Sequence, residues 1–169
     1  RSTLFPYTTL FRSVGQCTVE NHAVREAACQ SLAEAATRLD VDTVRPSVPH
    51  IFSSLINCFK DESWPVRDHA CLALSKITEK FPREVEDTGR LAELYDLFKA
   101  HLADNIPSVR RNTAMALAVA SHAFDRRHDV MGAFRLIRTA AELMERISLQ
   151  KEHNVIRDIH AQDTHYGEI

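Results

Sequence analysis

The chain has 169 residues, with 21 Lys+Arg against 23 Asp+Glu and 44% hydrophobic residues, long enough for one domain with a real core. Only four glycines occur, and the long Ala/Leu-rich segments favour helix throughout. The mildly acidic balance gives no electrostatic footprint for nucleic acid or an anionic membrane, and no apolar run approaches the roughly 18 residues that span a bilayer.

Residues 1–13, RSTLFPYTTLFRS, show no repeat and no signal-peptide layout. The whole segment looks like the translation of a common short-read sequencing adapter. It is set aside as a non-native, disordered artefact, which leaves the remainder with 19 Lys+Arg against 23 Asp+Glu. Residues 14–20 are too short to interpret. From His22 to Leu39, Val24, Ala28, Leu32, Ala35 and Leu39 recur every three or four residues, one face of an amphipathic helix.

Asp40 to Thr43 is a polar connection. Pro46 and Pro49 sit where a first helical turn tolerates a missing N–H. The helix that follows, to about Lys60, carries Val48, Ile51, Phe52, Leu55 and Phe59 on one side. Asp61-Glu62-Ser63 makes a turn, with Ser63 placed to cap the next helix and Pro65 in its first turn. That helix buries Val66, Ala70, Ala73, Leu74, Ile77 and Phe81. Pro82 ends it, and 82–89 reads as a loop.

The helix expected over Arg90 to Leu102 repeats the earlier one at a step of 43, with Leu91, Leu94, Tyr95, Phe98 and Leu102 in the places of Val48, Ile51, Phe52, Leu55 and Phe59. Asp104 then stands where Asp61 stood, and Pro107 opens another helix to Phe124. Beyond Asp125-Arg126-Arg127-His128, a longer helix is expected near 129–150. Glu152 to Asp158, EHNVIRD, resembles ESWPVRD at Glu62 to Asp68 and reads as the start of a truncated repeat; 161–169 has no pattern and reads as a frayed tail.

The Val-Arg pairs Val24-Arg25, Val66-Arg67 and Val109-Arg110 are 42 and 43 residues apart, a period that marks a stacked repeat architecture. A turn with Asp, then Pro or Ser, then Val-Arg, then Ala and Leu at helical spacing resembles HEAT repeats over roughly residues 20–158. Armadillo repeats share the period but tend to carry a short extra helix and a turn glycine, and neither is evident. The fold class this implies is all-α, a right-handed α-solenoid of stacked antiparallel helix hairpins. Its array spans 14–160: the second helix of one repeat at 20–39, full repeats at 44–81 and 87–124, and a partial repeat at 129–160. Each helix pair has an apolar face too large to bury alone, so neighbours must stack.

By the same resemblance, Asp61 and Asp104 form a ladder with Arg25, Arg67 or Arg110. Val19 and Lys151 stand where the first and fourth repeats would supply the Asp. Second helices of HEAT repeats line the concave surface. Counting 100° per residue from Val66, the strip opposite the core holds Glu26, Gln30, Ala33 and Thr37, then Asp68, Leu72, Ser75 and Glu79, then Arg111, Met115, Ala118 and His122. It runs from acidic to mildly basic, with Leu72 and Met115 as apolar spots. Such a mixed strip suits a peptide segment or helix of a partner protein better than a phosphate backbone.

No catalytic constellation is present: no Gly-rich phosphate loop, no GxSxG, no HExxH. Some HEAT proteins are hydroxylases using His-Glu pairs, and no His-Glu dipeptide occurs. His69 and Cys71, two apart on a helix, are poor co-ligands. His153, His160 and His165 lie in the tail. Cys17, Cys29, Cys58 and Cys71 lack CxxC spacing and read as small packing residues of a reducing, intracellular setting, cytoplasm or nucleus. No cofactor and no metal are expected. Trp64, in a repeat turn, either caps the core between turns or anchors a partner. Arg126-Arg127-His128 with Arg110-Arg111 reads as a solvated turn beside a ladder arginine rather than a phosphate site.

The resulting expectation is a non-catalytic protein-binding scaffold or adaptor, a fragment of a larger protein, whose uncapped repeat ends favour self-association. A nucleic-acid-binding HEAT module is the alternative.

Overall fold

The computed structural model describes residues 4–125. The fourth repeat at 129–160, the tail and the basic turn lie outside the described residues. Eight α-helices occur among those described: α1 Leu4–Gln16, α2 His22–Arg38, α3 Val41–Val44, α4 Val48–Cys58, α5 Trp64–Lys80, α6 Pro82–Glu86, α7 Leu91–His101 and α8 Pro107–Asp125, with a 3-10 turn at Arg45–Ser47. No strand occurs among the described residues, and none of their helices is long and apolar enough to cross a membrane.

Each of the three Val-Arg pairs lies at the start of a long helix, α2, α5 or α8. These helices pack side by side, α2 on α5 and α5 on α8, and each takes a preceding helix against its flank: α1 on α2, α4 on α5, α7 on α8. The buried faces follow the periodicity. Val48, Ile51, Phe52, Leu55 and Phe59 are fully buried beside Val66, Ala70, Ala73, Leu74 and Ile77. Each large aliphatic or aromatic side chain buried there contributes about 1.5–3 kcal/mol relative to exposure. Phe59 meets Phe98 edge-on at 6.0 Å, carrying the core from one repeat to the next.

Three local expectations are corrected. Residues 1–13 were set aside as disordered, yet 4–13 belong to α1. The physical reason is spacing: Leu10, Ser13, Val14 and Cys17 fall on one helical face, and Leu10 and Cys17 are buried in the common core. At a step of 42 these positions match Phe52, Leu55, Ile56 and Phe59 of α4, so α1 stands as the first helix of its repeat. Residues 40–43 are not merely a connection, because Asp40 accepts hydrogen bonds from the Asp42 and Thr43 N–H groups and caps α3. Residues 82–89 are not all loop, because Pro82 opens α6 and Val85 is fully buried. The segment then turns at Gly89, whose φ of 67° is the left-handed conformation glycine accepts without strain.

Ser63 holds the N-cap position of α5 without a side-chain bond. The Asp61 Oδ1 instead accepts from the Ser63 N–H at 2.9 Å, and Asp104 Oδ1 accepts from the Ile106 N–H at 2.9 Å in the next repeat.

Candidate functional site: the second-helix strip and its supports

Adjacent long helices are set against one another by two arginine–aspartate forks. Arg25 donates from Nε to Asp61 Oδ2 at 2.7 Å and from Nη2 to Asp61 Oδ1 at 2.9 Å. Arg67 makes the same fork to Asp104 at 2.9 and 3.1 Å. The remaining Nη1 turns back onto carbonyls of the arginine's own turn, Val19 and Glu20 for Arg25, Asp61 and Glu62 for Arg67. Arg110 likewise donates to the Asp104 carbonyl at 2.6 Å. Arg25 and Arg67 therefore each tie their own turn to the aspartate of the following repeat, a bidentate charge-assisted arrangement. In the first repeat Arg25 uses the Val19 carbonyl as Arg67 uses that of Asp61, so this backbone contact does not depend on an aspartate side chain.

The carboxylates lie in a shielded seam. Burial alone would raise Asp61, but Arg25 and the Ser63 N–H outweigh it and leave its carboxyl below the usual range. Asp104 is lowered in the same way, burial opposing and Arg67, the Ile106 N–H and His101 prevailing. His101 is lowered by burial, against the pull of Asp104.

At the far end of the long helices, the Lys80 Nζ donates to the Ala36 and Leu39 carbonyls at 2.6 and 3.0 Å. It caps the C-terminus of α2 from α5, where a cation also suits the helix dipole. Between the two ends, His69 on α5 approaches the Pro65 carbonyl through Nδ1 at 2.9 Å and the Gln30 amide nitrogen through Nε2 at 2.7 Å. A carbonyl can only accept, so Nδ1 carries the proton and Nε2 receives the Gln30 N–H. Glu26 lies 3.5 Å from the same ring, and Asp68 Oδ1 accepts from Asn112 Nδ2 at 2.9 Å. Glu26, Gln30, His69, Asp68 and Asn112 thus form a polar seam across α2, α5 and α8.

The strip itself is narrower than helical counting implies. Gln30, Glu79, Arg111, Met115 and His122 are exposed, whereas Glu26, Asp68, Leu72 and Ser75 are half-buried and Ala33 is buried. The reason is lateral packing. Counting angles about one helix locates the side opposite its partner, but α5 also has α2 and α8 at its flanks. Met115 is 59% exposed, an open large apolar side chain on the strip. Glu79 and His122 share an open cleft of about 580 Å³ with Arg83, Glu86 and Phe124. Trp64, at the start of α5, is 47% exposed, so it does not close over the core.

Sequence reading missed one convergence. Cys17, Cys29 and Cys58 are all buried, and their sulfurs lie within 4.8 Å of one another. They come from the turn after α1, the middle of α2 and the end of α4, and no spacing motif connects them. The Cys17 thiol donates to the Ser13 carbonyl at 3.4 Å and Cys58 to the Cys17 carbonyl at 3.6 Å. Hydrogen bonds with Cys29 and Cys58 draw the Cys17 thiol down, and the bond with Cys17 together with burial pushes the other two up. Cys71 sits apart from this cluster, 3.8 Å from Thr113, and burial pushes it up to about 12.

Comparison with curated proteins and with solved structures gives no match. The family model described as HEAT-like repeat matches residues 22–77, the span from the start of α2 through most of α5 that contains the Arg25–Asp61 rung. Residues 22–77 are therefore similar to a HEAT-like repeat.

Proposed function

We propose that this protein is a non-catalytic protein-binding scaffold, a right-handed solenoid of stacked antiparallel helix hairpins. Its long helices take a peptide segment or helix of a partner along one concave face. The observation that carries this reading is the composition of the exposed strip. Met115 stands open between Arg111 and His122, with Gln30 and Glu79 on neighbouring helices. An apolar anchor within mixed polar surroundings is what helix and peptide recognition uses. A phosphate-binding groove would be dominated by Lys and Arg, and here acidic Glu26, Asp68 and Glu79 belong to the strip.

The test is affinity capture from cell extract by the whole chain, by Met115→Asp and by Trp64→Ala, each checked for an unchanged melt. A protein partner kept by Trp64→Ala and lost by Met115→Asp supports the strip. Loss only with Trp64→Ala moves the contact to the turns. Recovery abolished by nuclease establishes nucleic acid as the ligand and overturns the proposal.

A further inference from the structure

We propose that Cys17, Cys29 and Cys58 form a three-thiolate site for a soft d10 metal ion, Zn2+ or Cu+.

Three sulfurs from three separate segments lie within 4.8 Å of one another, all buried. An ion bonded to three sulfurs at about 2.3 Å holds them about 4 Å apart, so the thiols need little or no movement to converge on it. One repeat on, the equivalent positions at steps of 42 and 43 are Phe59, Cys71 and His101. There two rings meet, Phe59 and His101, tilted by 38° with centroids 4.3 Å apart. The first repeat has thiols in place of both rings. Small packing residues would explain one such exchange. Two exchanges that bring a third sulfur into range make a donor set of one chemical type, the type that selects Zn2+ and Cu+ over hard cations.

No His, Asp or Glu among the described residues joins the cluster. The donor set is therefore S3, and the neighbouring polar groups are the Ser13 and Cys17 carbonyls. Binding would release the three thiol protons to solvent, leaving a net charge of −1 with Zn2+ or −2 with Cu+. The ion would join the turn after α1 to α2 and α4, fastening the first helix of the stack at its base. This site is independent of the protein-binding strip, and either proposal can fail alone.

The whole chain, reduced and stripped with chelator, is titrated with Cd2+ as an optical probe and then with Zn2+ and Cu+. One ion per chain is expected, with a cadmium–thiolate charge-transfer band of three-bond intensity, release of protons and a rise in Tm. Cys71→Ser should keep all of these. Cys29→Ala and, separately, Cys58→Ser should cut the band to two-bond intensity or less and weaken binding by about tenfold or more, with circular dichroism confirming that each is folded. Absence of the band from the wild-type chain overturns the proposal without reference to any variant. A band that keeps its full three-bond intensity in folded Cys29→Ala also overturns it. So does a two-proton mass loss showing that two of the three thiols pair as a disulfide under mild oxidation faster than they take metal.

Discussion

Asp104→Ala should cost about 3–4 kcal/mol of folding stability. The side chains of Arg67 and Asp104 are 15% and 6% exposed, and they share two hydrogen bonds at 2.9 and 3.1 Å. Removing the carboxylate strands the guanidinium in a shielded seam and also frees the Ile106 N–H and His101, both of which Asp104 holds. Arg67→Ala should cost about as much, since it loses the carbonyl contacts to Asp61 and Glu62 as well. The double variant leaves neither charge stranded, so its cost falls short of the sum by a coupling of about 2 kcal/mol. Arg38 and Glu34 supply the internal control. They are 77% and 62% exposed at 3.8 Å, and their coupling should lie under about 0.5 kcal/mol. Urea unfolding followed by circular dichroism and by Trp64 fluorescence gives both cycles, provided that m is unchanged among the variants. A coupling under about 0.5 kcal/mol at Arg67–Asp104 would place the ladder with ordinary surface pairs and refute its structural role.

The pH dependence has a definite sign. Asp61 and Asp104 have folded values below their ordinary 3.8, so their stabilisation is present above that pH and lost as pH falls further. His101 is lowered from 6.5, so its share is present above about 6.5 and is also lost on acidification. Stability measured by urea titration should begin to fall below about pH 6.5 and fall more steeply below about 4, and His101→Gln should flatten only the upper part. Gly89→Ala should cost about 1 kcal/mol through its positive φ alone, since an added Cβ meets nothing within 4 Å; thermal melts measure this. Lys80→Met keeps most of the stem but leaves the Ala36 and Leu39 carbonyls without their donor, and should cost about 1–2 kcal/mol in the same melts.

Much of this architecture was legible because a repeat states its core twice. The set Val48, Ile51, Phe52, Leu55 and Phe59 returns as Leu91, Leu94, Tyr95, Phe98 and Leu102, and the helices follow those sets to within a residue or two. The Asp and Arg positions were legible for the same reason, but periodicity left the pairing open. The structure assigns Arg25 to Asp61 and Arg67 to Asp104, each arginine reaching forward by one repeat. Other features depend on tertiary context that a one-dimensional pattern does not hold. The capacity of α1 to pack rests on Leu10 and Cys17 meeting an existing core. Helix α6 rests on Val85 alone finding burial. The narrowing of the strip at Asp68, Leu72 and Ser75 arises from neighbours on both flanks of α5. The cysteine cluster joins residues 12 and 29 positions apart, and only superposing the repeats would have aligned Cys17 with Phe59 and Cys58 with His101.

The protein-binding claim is tested most directly by photo-crosslinking in cells, with a photoreactive amino acid placed at position 115 on α8 or, separately, at Lys99 on the exposed side of α7. The account predicts discrete protein adducts from position 115 and none from position 99. Adducts from position 99 alone, or nuclease-sensitive adducts from position 115, would contradict it.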